Sequence, residues 1–296
     1  MGKLLLPLLF LIIGATEIAV AATPPEKIKV LIIDGQNNHS NMKKGTQRMK
    51  AYLLATGIFD VDVATTPPAG KSMQSFKPDF SKYRVVVSNY NGASWPEATN
   101  TAFDKFMYEG GGLVTVHAAD NAFPEWAEFN QMIGLGGWGK RNEEAGPYVY
   151  YDEQQKKFIE DIDPGIGGSH GHQHEFIVKT RDKNHPITKG LPEEWLHQKD
   201  ELYDRLRGPA EHLTVLATAF SPKDKAGSGR HEPVLMAINY GKGRVFHTTL
   251  GHEDYSQKCV GFMVTFQRGV EWAATGQVTQ PVPADFPTAT QGKARP

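Results

Sequence analysis

Residues 110–120 read Gly110-Gly111-Gly112-Leu113-Val114-Thr115-Val116-His117-Ala118-Ala119-Asp120. Three glycines end a helix and admit a short buried strand, Leu113 to Val116. The chain then turns at once, through His117 to Asp120, into what should be a short helix. A strand that turns this sharply presents its next residue at the carboxyl end of a sheet. That is where ligands bind in open α/β folds, near the switch point of the strand order.

Working outward, strand-like and helix-like segments alternate, the signature of a parallel sheet covered on both faces. Lys27 to Ile33 is a buried first strand, ending in the polar loop Asp34-Gly35-Gln36-Asn37-Asn38-His39-Ser40. A helix follows over Met42 to Ala55 and a second strand over Phe59 to Ala64. Arg84 to Ser88 is a third strand, and Pro96 opens a helix to about Tyr108, a favourable first-turn position for proline. Later strands are His174 to Lys179, Thr214 to Ala219, Pro233 to Asn239 and Arg244 to Thr249. A last helix runs from about Gln257 to Thr275. Residues 134–172 are glycine-rich and without periodicity, so they read as a long insertion over the carboxyl ends of the strands; loops of this length are usually functional. Residues 277–296 hold four prolines and little apolar periodicity, and are expected to fray. The expected organisation is a leader over 1–21, one domain over 22–276 and this flexible tail.

Lys3, the apolar run Leu4 to Ile13 and the small-x-small motif Ala19-Val20-Ala21 have the layout of a cleavable signal peptide. The run is too short to span a bilayer core of about 30 Å. The mature chain is expected to start at Ala22, to be periplasmic or extracellular, and to leave the membrane after cleavage. The net charge of −1 is unchanged by this cut, since Lys3 and Glu17 leave together. No clustered excess of base suits nucleic acid, and a small neutral ligand fits better than a polyanion. One cysteine, Cys259, cannot form an internal disulfide.

Four segments should gather at the sheet's carboxyl edge: the loop with His39, the turn with His117 and Asp120, the stretch Ser169 to His174, and His247 to Glu253. Imidazole is the usual acid–base group near neutral pH and the commonest metal ligand. Two histidines and a carboxylate could hold zinc with a position open for substrate. His170, His172 and His174 alternate and would face one way on an extended segment, with His174 best placed; a solvated glycine/histidine-rich loop is the other reading. Asp200-Glu201-Leu202-Tyr203-Asp204 adds carboxylates and a phenol, with Glu201 and Tyr203 on one face if extended. Trp138 offers a stacking face for a sugar ring, or simple packing.

The blocks GGGLVTVHAADNAF, HQHEFIVK, HPITKGLPEEW, KDELYD, LRGPAEHLTVLATA, VLMAINYGKGRVFHTTLGHE and GFMVTFQRGVEWAATG together resemble the ThuA-like (trehalose-utilisation) family over about residues 28–276. The resemblance implies a doubly wound, mostly parallel α/β sheet with helices on both faces, glutamine-amidotransferase-like or flavodoxin-like, and a role in carbohydrate use. That superfamily places a cysteine at the strand-to-helix elbow and a histidine after a later strand. Here His117 fills the elbow, His252 matches the later histidine, and Cys259 lies beyond it, so glutaminase chemistry is not expected. The resulting expectations are His117, His252 and Glu201 as catalytic groups, and His39, Asp120, Trp138 and Tyr203 against substrate. His174 and His247 are the expected ligands for a divalent metal such as zinc. The expected substrate is a glycoside or keto-sugar, undergoing hydrolysis, elimination or isomerisation. A non-catalytic sugar-binding or metal-binding protein is the alternative.

Overall fold

The structure, a computed structural model, describes residues 1–2 and 26–296; from residue 3 on, the expected leader lies outside the described residues. Among the described residues, thirteen strands and five α-helices follow in chain order. The first half holds β1 (Ile28–Asp34), α1 (Met42–Ala55), β2 (Phe59–Thr65), β3 (Val85–Ser88), α2 (Glu97–Tyr108), β4 (Gly112–Val116) and α3 (Ala127–Ile133). Next come β5 (Tyr148–Asp152), β6 (Lys157–Asp161), β7 (Ser169–His170), β8 (His174–Thr180), β9 (Glu194–Asp200) and β10 (Tyr203–Asp204). The chain closes with β11 (Leu213–Phe220), β12 (His231–Tyr240), β13 (Gly243–Thr248), α4 (Asp254–Gln257) and α5 (Val260–Thr275).

The main sheet runs β2-β1-β3-β4-β13-β12-β11-β8-β9. Its first half is parallel, from β2 through β1, β3 and β4 to β13. From β12 onward the strands are antiparallel. The expected α/β architecture is therefore present, with an antiparallel extension on one side. The uninterrupted apolar run of β1 follows from burial on both faces. Val30 and Ile32 pack in the layer of α1 and α5, while Leu31 and Ile33 pack in the layer of α2 and α3. This is the period-two alternation of a strand.

Two readings need correction. Residues 134–172 form more than a loop: β5 and β6 make an antiparallel hairpin that joins β12 through Tyr151 and His231. Only the ends of this segment reach the site described below. The tail expected to fray is packed. Phe286 is buried with its ring 5.5 Å from that of Trp195, and Leu196 N–H donates to the Thr288 carbonyl at 2.8 Å. Glu271, buried on α5, accepts the Thr279 N–H at 2.8 Å. The tail thus covers the outer edge of β9, which would otherwise present unpaired backbone groups. Among the described residues, no helix is long and apolar enough to cross a membrane.

Candidate metal and substrate site

The site is built where β1, β4, β9 and β13 end. Val116 closes β4, and His117 follows with φ of 47°, a backbone conformation uncommon outside glycine and a mark of functional turns. That twist drops the ring into the interior. His117 Nδ1 lies 2.7 Å from the Thr249 carbonyl. A carbonyl only accepts, so Nδ1 carries a proton and Nε2 is left as the lone-pair nitrogen of the neutral ring. Buried Nε2 has no hydrogen-bond partner among the described residues and faces Glu201 Oε2 at 3.6 Å.

Two further imidazoles converge on the same oxygen. His39, after β1, has Nδ1 3.1 Å from Asn37 Oδ1, which also accepts the His39 backbone N–H; its Nε2 stands 4.0 Å from Glu201 Oε2. His252, after β13, has Nε2 3.7 Å from that oxygen. The Gln173 amide donates to His252 Nδ1 at 3.1 Å, leaving the ring proton on Nε2. For that nitrogen to ligate an ion, the amide must turn over so that Nδ1 donates instead. The three ring centroids lie 4.5 to 5.1 Å apart.

These four side chains offer donor atoms that all lie within 4.8 Å of one another. Tetrahedral zinc, with bonds of about 2.0–2.2 Å, sets its donors roughly 3.4 Å apart. Small inward rotations of the rings would close the difference. The orphaned Nε2 of His117 and the neutral-ring tautomer fixed by Thr249 are what a metal ligand needs.

The electrostatics agree with a cluster poised for a cation. Burial, with His117 and His252 nearby, pulls His39 down to about 4. Burial and His117 also lower His252, against the pull of Glu201 and Asp200. His117 goes the other way: burial opposes its charge, but the close approach of Glu201 and the Asp200 carboxylate raise it. Burial opposes charge on Glu201 as well, yet the His117 contact and the charges of His252, His117 and His170 lower it. Charging all three rings together is thus disfavoured, and an ion entering the ring would take the place of any proton that Glu201 draws onto His117 Nε2.

Glu201 also borders a cavity of about 280 Å³ lined by Asn38, Asn91, Asn121, Trp138, His170 and Tyr203. His170 Nδ1 sits 3.5 Å from the other Glu201 oxygen. Trp138, with φ of 53°, packs against Tyr203 at 4.6 Å. Burial and nearby Asp120 and Glu201 push the Tyr203 phenol well above its ordinary range, so it serves as a neutral hydrogen-bonding group. A larger open hollow of about 620 Å³ lies at the opposite edge of the sheet beside Phe80, Phe106 and Arg244; the ligating groups are not there.

Of the residues singled out from sequence, His117, His252, Glu201, His39, Trp138 and Tyr203 meet here. His174 and His247 do not join them. Both nitrogens of buried His247 are engaged, Nδ1 at 2.9 Å from the Ile133 carbonyl and Nε2 at 3.3 Å from Asp120. Asp120, expected at the substrate, is fully buried in that pair. His174 turns its Nδ1 to the His172 carbonyl at 2.8 Å. His39 moves from an expected substrate contact into the ligand ring. Of the three cavity asparagines, Asn38 belongs to the loop expected at the site, whereas Asn91 and Asn121 are additions; the polar loop that carries Asn91 was the available signal. Cys259 is buried and does not border the cavity.

Fold and site together define a doubly wound α/β domain with a histidine at its strand-to-helix elbow. The family model described as ThuA, trehalose utilisation, matches residues 29–273, and the chain belongs to that family. A ThuA-like protein of Parabacteroides merdae is 51% identical, with a TM-score of 0.88 over 91% of this chain and 98% of that one. A ThuA-like protein of Bacteroides uniformis shares the fold at 19% identity and a TM-score of 0.59, over 88% of this chain and 96% of that one. A search of curated proteins returns no match.

Proposed function

We propose that this is an exported, divalent-metal-dependent enzyme acting on a small neutral carbohydrate, a glycoside or keto-sugar. The observation that carries the reading is the ring of His39, His117 and His252 around Glu201, which itself borders an amide- and tryptophan-lined cavity. A bound divalent ion would take a hydroxyl or carbonyl oxygen of the sugar as a further ligand and polarise it as a Lewis acid. The protein's own share is orientation. Asn38, Asn91 and Asn121 can each donate to and accept from sugar hydroxyls. Trp138 supplies an apolar ring face. Among the described residues no lysine or arginine lines the cavity, which suits an uncharged ligand. Glutamine hydrolysis is excluded from this reading, because the elbow carries imidazole and Cys259 is remote from the cavity.

The test is a screen of trehalose, other disaccharides and their 3-keto forms for product, with and without chelator. Turnover that chelator abolishes and added zinc or manganese restores is the expected result. Chelator-resistant turnover would remove the metal from the mechanism, and binding without turnover would make this a sugar-binding protein. Export rests on Lys3, the run Leu4 to Ile13 and Ala19-Val20-Ala21. Amino-terminal sequencing of the native protein should return Ala22; Met1 or Gly2 would contradict it.

A further inference from the structure

Asp200 ends β9, is fully buried, and does not border the cavity, yet its carboxylate is saturated with hydrogen bonds. Oδ1 accepts the backbone N–H of Glu201 at 2.9 Å and of His252 at 3.1 Å. Oδ2 accepts the N–H of Gly251 at 2.8 Å and the His197 Nε2 proton at 2.8 Å. A carboxylate offers about four acceptor positions, and all are used. Three of the donors are backbone groups of two segments that are far apart in sequence, one carrying Glu201 and the other His252.

The loop after β13 needs such a clamp. Gly251 has φ of +109°, and a Cβ there would lie 2.7 Å from a Phe262 ring carbon. The loop therefore passes close to α5 in a conformation its side chains do not hold. Behind Asp200, His197 is buried beside Cys259. Burial opposes charge on His197, but Cys259 and Asp200 on either side raise it to about 10. His197 Nε2 thus carries the proton that Asp200 accepts, and the carboxylate faces a donor rather than bare apolar core.

We infer that Asp200, held by His197, is the positioning residue of the metal centre: one buried carboxylate fixes the backbone of two of its four ligands at once. The inference rests on the metal reading above. Outer partners of this kind set the geometry of ligands they do not replace, and their loss typically weakens metal binding about 10–100-fold.

The experiment is zinc affinity by competition with a chromophoric chelator, on the full mature chain, for wild type, Asp200→Asn, His197→Phe and His197→Gln. Asp200→Asn should bind zinc about 10–100-fold more weakly. His197→Phe should weaken binding by a smaller factor. His197→Gln, whose amide can still donate to Oδ2, should stay close to wild type. Thermal unfolding of the zinc-free proteins separates the two roles: a lower Tm with unchanged zinc affinity in Asp200→Asn would overturn the inference. If Asp200→Asn does not fold, the histidine pair decides, and equal affinities for Phe and Gln at position 197 would overturn it. Absence of zinc binding by the wild type would instead sink the metal reading itself.

Discussion

Glu201→Gln keeps the shape of the group at the middle of the ring and removes its charge. In the wild type, Oε2 lies 3.6, 3.7 and 4.0 Å from the Nε2 atoms of His117, His252 and His39. The amide removes the only anionic ligand. Zinc bound by four protein donors contributes about 10–16 kcal/mol in small domains, or about 3 kcal/mol per donor if shared evenly. The expected weakening is on the order of 100-fold, read by calorimetry or chelator competition. A second readout needs no metal. The contact with Glu201 helps raise His117 against its burial, so the substitution should lower the His117 pKa in chelator-treated protein, followed by NMR of its ring protons. Unchanged zinc affinity together with an unmoved His117 titration would refute the ring geometry.

Other predictions concern the frame around the site. Gly251→Ala forces a side chain onto Phe262 in a left-handed backbone and should cost about 2–5 kcal/mol from strain and overpacking together; denaturant unfolding of zinc-free protein that showed no loss would contradict the close approach. Trp138→Ala should raise KM roughly tenfold by removing about 1–2 kcal/mol of apolar contact with substrate, leaving kcat largely intact; a fall in kcat alone would place Trp138 in the chemistry instead. Glu232 is buried, and burial pushes it up to about 7, against the Ser228 hydrogen bond. Its folded pKa is above its unfolded value, so the native state keeps the proton longer, and stability is lost as pH rises from about 4.5 through 7. Glu232→Gln should match wild type at pH 4 and gain on it by up to about 3 kcal/mol at pH 8; a gap independent of pH would show that Glu232 does not titrate in this window.

The parallel half of the sheet was legible because its strands are buried on both faces and read as apolar runs. Val30 to Ile33 and Val85 to Val87 illustrate this. The elbow was legible for the same reason, since Gly112 to Val116 leads directly into His117. The hairpin of β5 and β6 was hidden, because β6 is largely exposed and charged; Lys157 to Asp161 has no fully buried position. The histidine stretch misled through an assumption of continuous extension. β7 ends at His170 to pair with β10, and the break over residues 171–173 turns His174 away from the site. His247 followed strand alternation into the core, where Asp120 was waiting. The tail was misjudged because prolines say where a helix cannot form, not whether the segment can lie against a sheet edge. Asp200 was legible as a carboxylate of the stretch Asp200 to Asp204, but not as the group that clamps the site, since its partners Gly251 and His252 are distant in sequence.

The most direct test of the central claim is anomalous diffraction at the zinc edge from crystals of the mature chain grown with zinc. The account predicts one strong peak per chain, about 2.0–2.2 Å from Nε2 of His39, His117 and His252 and from a Glu201 carboxylate oxygen. A peak at His174 or His247 instead, or none within the ring at saturating zinc, would contradict it.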